Sequence, residues 1–321
     1  MNKFWNQYSS IQSDLDEVTE IIKKNIKSSE KTMEEALLGL VNSRGKQLRP
    51  AFLLLTSGFG NGDKKKILSL AAVIEMLHMA TLIHDDIIDD SELRRNRATI
   101  QFKYGKEYAV FMGDFLFCRC FMILSNESSM ENMKLLSKAI SKICMGEINQ
   151  FSSRHSKDVS VKKYLKRIGA KTAALFSLSF YVGAEESGCS EKLYKQLGRI
   201  GYEIGMAFQI IDDILDYTGS ENVVGKPLGS DLKEGVYTLP IIYALQRDKS
   251  QLEYYLNKDQ IAEDEIKDII NITKNLGGID EAKKLAKRYT DRALNRILKL
   301  PKCKSKDILL DVTKKLLERE Y

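Results

Sequence analysis

Proline is nearly missing from this chain: four residues in 321, at Pro50, Pro227, Pro240 and Pro301. Proline inside a helix removes a donor and clashes with the preceding turn, so its scarcity leaves room for long uninterrupted helices. Cysteine is sparse too. The five at 118, 120, 144, 189 and 303 make an odd count without a CxxC pair. That pattern excludes a disulfide framework and a cysteine zinc site, and it predicts buried, reduced thiols in a cytoplasmic protein. Histidine occurs three times, at 78, 84 and 155, without the Glu-x-x-His pairs that a di-iron helical bundle requires.

Other signals are lacking as well. No single-sign charge arm exists: the net charge of +6 is spread along the chain. Such a balance is only a weak pull toward phosphorylated substrates or an anionic membrane, and gives no nucleic-acid-binding tract. The apolar runs are cut by Glu75, His78 and Asp85, short of the roughly 20 residues of a membrane span. The first ten residues have no apolar core of the signal-peptide kind, and no Gly-rich dinucleotide fingerprint is present.

What is there reads as helix. Apolar residues recur at helical spacing nearly throughout, and alternating strand patterns do not. The periodicity predicts helices over 9–43, 50–59, 64–90, 100–124, 129–153, 160–185, 190–217, 235–248, 262–276, 279–299 and 305–319. No break between them is long or biased enough to be a linker. With 43% hydrophobic and 29% charged residues, the expectation is a soluble all-α protein, one domain over residues 1–321. Two segments, Ile67–Asp90 and Leu197–Tyr217, are apolar almost all round, as helices in the middle of a domain are.

Both of these segments end in acid. Each carries a DDxxD cluster: Asp85, Asp86 and Asp89 in the first, Asp212, Asp213 and Asp216 in the second. Carboxylates four residues apart stack about 6 Å from each other on one helix face. Two such helix ends facing each other would aim at least four carboxylates into one cleft. At an effective dielectric near 20, two like charges about 4 Å apart repel by roughly 4 kcal/mol. A cleft of that kind wants cations, and hard oxygen donors without thiolate or clustered imidazole favour Mg²⁺. One such cluster alone would read as a solvated turn; two, each with apolar residues between the aspartates, do not.

Basic residues accompany the clusters. Arg94 and Arg95 follow the first within one short loop, and Lys226 follows the second. Lys46 and Arg49 lie in a loop that opens a helix, a setting where N–H groups and guanidinium forks hold phosphate. Lys171-Thr172 interrupts the apolar run Ile168–Phe180. Singly, each is a surface cation, and His78 is a satisfied core histidine. Their arrangement around two metal-binding clusters is what counts.

In order and spacing these motifs resemble the trans-isoprenyl diphosphate synthase (polyprenyl synthetase) family. The carrying residues are Gly45-Lys46-x-x-Arg49-Pro50, His78, Asp85-Asp86-x-x-Asp89 with Arg94-Arg95, Gly113-Asp114, Gly146-Glu147-x-x-Gln150, Lys171-Thr172-Ala173, Phe208-Gln209-x-x-Asp212-Asp213-x-x-Asp216 and Gly225-Lys226-x-x-Gly229-x-Asp231. The likeness runs from about Ala36 to Pro240, and more loosely beyond. It implies a bundle of ten or more helices around a central cavity, and head-to-tail condensation of isopentenyl diphosphate onto an allylic diphosphate such as farnesyl diphosphate.

The resemblance also implies roles. Asp85, Asp89 and Asp212 would ligate three Mg²⁺, with Asp86, Asp213, Asp216 and Asp231 behind them. Arg94, Lys171, Gln209 and Lys226 would hold the allylic diphosphate. Lys46, Arg49, His78 and Arg95 would hold isopentenyl diphosphate. Thr172, the Lys171 carbonyl and Gln209 would turn oxygens toward the allylic cation, while Glu147 and Gln150 stay packing residues. The implied assembly is a homodimer or a heteromer with a small regulatory subunit, with peripheral membrane contact for product release. Departures from the family pattern are Arg44, Asn96, Ala98 and Val236, where glycine, glycine, proline and lysine are usual.

Product length is implied by Thr81, Ala80 and Leu77, which line the start of the path along the first acidic helix. Short-chain members put bulky aromatics at the first two. Here both are small, so the tail can pass. The roughly 36 Å of helix from Ile67 to Asp90 accommodates six or seven isoprene units at about one 5.4 Å turn each. The expectation is a product of about C30–C40, a quinone side-chain precursor, as made by the catalytic subunit of heteromeric bacterial hexaprenyl and heptaprenyl synthases. Homodimeric octaprenyl synthases look nearly as similar. The rivals are a shorter-chain synthase, a class I terpene cyclase and a non-catalytic helical partner, and all six aspartates argue against the last two.

Overall fold

The computed structural model describes residues 3–43, 45–94, 97–127, 129–156, 158–219, 228–258 and 261–317. Arg44, Arg95, Asn96 and Lys226, singled out above, lie outside the described residues. The fold is all-α. Among the described residues the one strand pairing is a two-residue antiparallel ribbon, Leu93–Arg94 against Arg97–Ala98, too short to register as alternation in the sequence. Two compact units emerge, each with its own core.

The first comprises Met1–Ser137, Leu178–Gly198 and Pro301–Leu309. Where one helix over 9–43 was expected there are two, α1 (Ser9–Asn25) and α2 (Lys31–Asn42). The Glu30 carboxylate accepts from the Met33 N–H at 2.8 Å, and this cap starts a new helix in place of continuing the old one. Next come α3 (Leu48–Ser57) and α4 (Lys64–Ile88). The helix expected over 100–124 is likewise divided into α5 (Ile100–Tyr104) and α6 (Lys106–Glu127). Gly105 sits between them at φ 93°, a backbone conformation that only glycine adopts without strain.

Helix α4 is the axis of this unit. Asp63 caps its start by accepting from the Lys66 N–H at 3.1 Å. From Ile67 to Ala80 almost every side chain is buried, including Leu70, Val73, Met76 and Leu77. It packs on α1, α3 and, most extensively, α6. At roughly 1.5–3 kcal/mol for each large apolar side chain taken out of water, this packing fixes where α4 ends, and so where its acidic tip lies.

The second unit comprises Lys138–Ser177, Arg199–Leu300 and Leu310–Tyr321. It holds most of α7 (Met130–Ser152), all of α8 (Val161–Ile168) and the start of α9 (Ala174–Glu185). Most of α10 (Glu191–Thr218) belongs to it too. Helix α10 is less uniformly apolar than its sequence implied, with Tyr202 38% exposed, but from Ile204 to Tyr217 it is largely buried. Helices Leu239–Arg247 and Gly278–Leu298 pack together here, and an ion pair from half-buried Arg296 to buried Glu203, Nε to Oε2 at 2.9 Å, ties α10 to the latter.

Between α8 and α9 the chain makes a π turn, Gly169–Ala173. One extra residue per turn widens the helix, a form concentrated at functional sites. It fits because α10 comes unusually close. A Cβ on Gly205 would lie 2.7 Å from Ala173 Cα, so only glycine allows the approach.

Candidate active site

At the tip of α4, Asp85 and Asp89 are half-buried, one turn apart, and Asp86 is buried. Arg94 Nε and Nη2 each lie 2.7 Å from Asp86 Oδ1. Burial still holds the Asp86 carboxyl above its ordinary pKa, Arg94 opposing and Asp89 adding to the rise. The turn that returns Arg94 to the helix is tightly made. Asp90 takes a left-handed φ of 49°, the Ser91 N–H donates to Asp86 O at 2.9 Å, and Thr99 Oγ1 and Gln101 Nε2 donate to Ser91 O at 2.6 and 2.8 Å. Ala98, a departure from the family pattern, pairs with Leu93 in the ribbon.

In the same unit Arg49 Nη1 lies 3.0 Å from His78 Nε2. A guanidinium only donates, so His78 accepts there and carries its proton on Nδ1. Lys46 belongs to the loop just before Arg49. Its carbonyl accepts from Trp5 Nε1 at 2.6 Å, and its ammonium lies 5.2 Å from the Phe4 ring centroid. Thr81 is half-exposed, while Ala80 and Leu77 are buried. His84, next to Asp85, is 3.4 Å from Asp114 Oδ1, which gives the Gly113-Asp114 motif a contact beside the cluster.

In the second unit the acidic cluster is wrapped in neutral donors. Tyr164 Oη donates to Asp213 Oδ2 at 2.6 Å and Gln209 Nε2 to Asp213 Oδ1 at 2.8 Å. Burial, then the charge of Asp231, push Asp213 up to about 7 against those two hydrogen bonds. Ser230 Oγ donates to Asp216 Oδ1 at 3.0 Å and the Asp231 N–H to Oδ2 at 3.4 Å. Asp212 is half-buried. On the π turn, Thr172 Oγ1 donates to Gln209 Oε1 at 2.6 Å, and Lys171 Nζ pairs with Glu147 Oε2 at 2.8 Å. Val236, another departure, is buried, its N–H donating to Asp231 O at 2.8 Å.

Arg49 and His78, Arg94 and Asp86, and the set Thr172, Gln209 and Asp213 are thus brought into contact, while Lys171 meets Glu147. Several participants escaped sequence reasoning. Tyr164 and Trp5 belong to no motif, and each is a buried aromatic whose polar tip finds a partner. Glu147, kept as a packing residue, is the partner of Lys171. The signal for the π turn was Gly205, a glycine one helical turn before Gln209 with no break around it.

Residues 30–273 match the polyprenyl synthetase family. The chain belongs to that family. It is 37% identical to heptaprenyl diphosphate synthase component 2 of Geobacillus stearothermophilus over 316 residues, covering 98% of each chain. Among solved structures it is similar to heptaprenyl diphosphate synthase from Staphylococcus aureus (TM-score 0.92, 37% identity, 96% and 98% of the two chains). It is also similar to geranylgeranyl pyrophosphate synthase from Lactobacillus brevis (TM-score 0.94, 35% identity, 99% of each). This polyprenyl synthetase is therefore a prenyltransferase, a trans-polyprenyl diphosphate synthase.

Proposed function

We propose that this polyprenyl synthetase lengthens an allylic diphosphate, such as farnesyl diphosphate, with isopentenyl diphosphate to a trans product of about C30–C40. The observation that carries the reading is the division within each acidic cluster. Asp86, Asp213 and Asp216 are buried and engaged by named donors, whereas Asp85, Asp89 and Asp212 are half-exposed. The second group has the chemistry of Mg²⁺ ligands: hard oxygens without sulfur or imidazole. Among the described residues no three acidic, histidine or cysteine side chains form a metal cage of their own, which suits an ion that takes its other ligands from phosphate and water. When bound, Mg²⁺, three ions per site, supplies charge neutralisation for the departing diphosphate.

The chain's own residues do the rest. Arg94, Lys171, Gln209 and Lys226 grip the allylic diphosphate, and Lys46, Arg49, His78 and Arg95 fix isopentenyl diphosphate. The allylic C1–O bond breaks with its electron pair leaving on diphosphate. Oxygens of Thr172, Gln209 and the Lys171 carbonyl face the allylic cation. The isopentenyl double bond, held close, attacks C1 to form the new C–C bond. One proton then leaves to the released diphosphate and a new double bond forms. Small Thr81 and Ala80 let the growing tail pass.

Helix α6 supports assembly, as a homodimer or with a small regulatory subunit. By length and composition α4 and α6 are both apolar enough to cross a membrane, yet α4 is 72% buried over its most apolar window and α6 only 33%. Val110, Phe111, Phe121 and Met122 stand exposed on α6, large apolar side chains of the kind a partner surface covers. We place the enzyme in the cytoplasm, with peripheral membrane contact at product release.

Purified protein given Mg²⁺, farnesyl diphosphate and labelled isopentenyl diphosphate is expected to yield labelled C30–C40 diphosphates, sized by reversed-phase chromatography after dephosphorylation. Absence of incorporation, alone and with candidate partner subunits, overturns the reading. A C20 product would favour the alternative that the Lactobacillus brevis likeness carries.

A further inference from the structure

Tyr164 has no task in the mechanism above. Its hydroxyl is one end of a directed chain of hydrogen bonds: Tyr164 Oη to Asp213 Oδ2 at 2.6 Å, Gln209 Nε2 to Asp213 Oδ1 at 2.8 Å, and Thr172 Oγ1 to Gln209 Oε1 at 2.6 Å. The direction is set by what each group offers. Both Asp213 oxygens accept, one from Tyr164 and one from Gln209, while an amide has one donor end and one acceptor end and a hydroxyl a single proton. Asp213 therefore turns the amino end of Gln209 toward itself. The amide carbonyl is left to face Thr172, whose proton is committed to it. The Thr172 oxygen is left with its lone pairs on every other side.

Tyr164 is itself held in place. It is 2% exposed, and the Arg167 guanidinium lies 5.6 Å from its ring centroid while donating to Tyr237 O at 3.0 Å. Burial, then Asp213, hold its hydroxyl well above the ordinary phenol range, so it stays a donor. We propose that Tyr164 is a positioning residue: acting through Asp213 and Gln209, it locks the Thr172 hydroxyl with its lone pairs toward the positive charge that develops at C1 of the allylic chain. The inference rests on the prenyl-transfer reading. It assigns to the middle aspartate of the second cluster the orientation of a neutral side chain.

The test compares two ligands in the presence of Mg²⁺, by calorimetry. One is a farnesyl diphosphate analogue with a protonated ammonium where the cationic carbon forms; the other is farnesyl thiodiphosphate, uncharged at that position and slow to ionise. Tyr164→Phe is expected to weaken the ammonium analogue about tenfold, the scale of one redirected hydrogen bond to a charge, and to leave the thiodiphosphate within about twofold. Its kcat should fall by a similar factor with KM unchanged. Gln209→Met, which cuts the chain in the middle and also removes a diphosphate contact, should weaken both ligands but the ammonium analogue more, and serves if Tyr164→Phe melts early. Thr172→Ser should retain it. Tyr164→Phe combined with Thr172→Val should be no worse than Thr172→Val alone, because residues in one network are not additive. Equal weakening of both ligands, or additive losses in the double variant, overturns the inference. A wild-type enzyme that incorporates no isopentenyl unit overturns the prenyl-transfer reading instead.

Discussion

The two DDxxD clusters are alike as letters and unlike as environments. In the first, the inner aspartate meets a cation: Arg94 closes on Asp86 from a ribbon eight residues on. In the second, the hydrogen bonds described on the inner aspartates come from neutral donors, Tyr164 and Gln209 on Asp213, Ser230 and a backbone N–H on Asp216. Both Asp86 and Asp213 are held above their ordinary pKa by burial first; Arg94 opposes the rise at Asp86 by hydrogen bond and charge, and at Asp213 the two neutral hydrogen bonds come ahead of the Arg167 charge. The inner aspartate of the first cluster is thus braced by a charged donor, and those of the second are oriented by neutral ones.

The sharpest way to break that comparison is to remove outer and inner aspartates in turn. Asp85→Asn and Asp212→Asn are each expected to lower kcat/KM about 10³-fold, the upper scale for one group that stabilises developing charge. Asp86→Asn and Asp213→Asn should cost about 10–100-fold, as losses of support. Steady-state kinetics at saturating Mg²⁺ separates the two classes. Equal losses at all four positions would mean that burial does not sort them. Chelation of Mg²⁺ by EDTA should abolish turnover in every case.

Arg94→Gln tests the charged brace. Removing Arg94 takes the charged donor from buried Asp86, so kcat/KM should fall about 50-fold, the equivalent of roughly 2–3 kcal/mol for a hydrogen bond to a charge. Restoring Asp86 neutrality with Asp86→Asn in the same chain should recover part of it. The matching loss at the second cluster, Ser230→Ala beside Asp216, should be smaller, because a backbone N–H remains. If Ser230→Ala is the worse of the two, the contrast between charged and neutral donors is wrong.

A third test separates the helices that carry the clusters. Ala80→Phe on α4 should shift products to shorter chains while leaving the first condensation intact, and overpacking at a residue of 0% exposure should cost about 1–3 kcal/mol of stability. Product sizing and thermal melts read the two effects. Unchanged product length would remove α4 from the path of the tail.

The acidic clusters, the all-α class and the placement of α4 were legible because each rests on a short-range rule: carboxylates at i and i+4, or apolar residues on every face. Helix 9–43 was misread as continuous because Ser28–Glu30 is polar but not a breaker, and the cap that divides it is a single carboxylate contact. The ribbon after Asp90 has two residues per strand, below any periodicity. Tyr164 is 49 residues from Asp213 and Trp5 is 41 from Lys46. Nothing local marks such pairs, since the same buried aromatic would be equally at home with no partner for its polar tip.

Trp5 supplies the finest distinction between the two regions. Its indole N–H donates to the Lys46 carbonyl at 2.6 Å and so fixes the loop that carries Lys46 and leads into Arg49, whose guanidinium meets His78. Trp5→Phe keeps most of the buried ring and deletes the donor. One net hydrogen bond is worth about 1 kcal/mol, hence KM for isopentenyl diphosphate should rise roughly fivefold, with kcat and KM for the allylic substrate unchanged. Tyr164→Phe deletes a donor from the second unit and should move kcat in place of KM. Single-turnover and steady-state kinetics on both variants, run side by side, test whether the first unit holds a substrate and the second shapes the chemical step. A Trp5→Phe variant that loses kcat with KM intact would dissolve that division, because the two donors would then serve the same step.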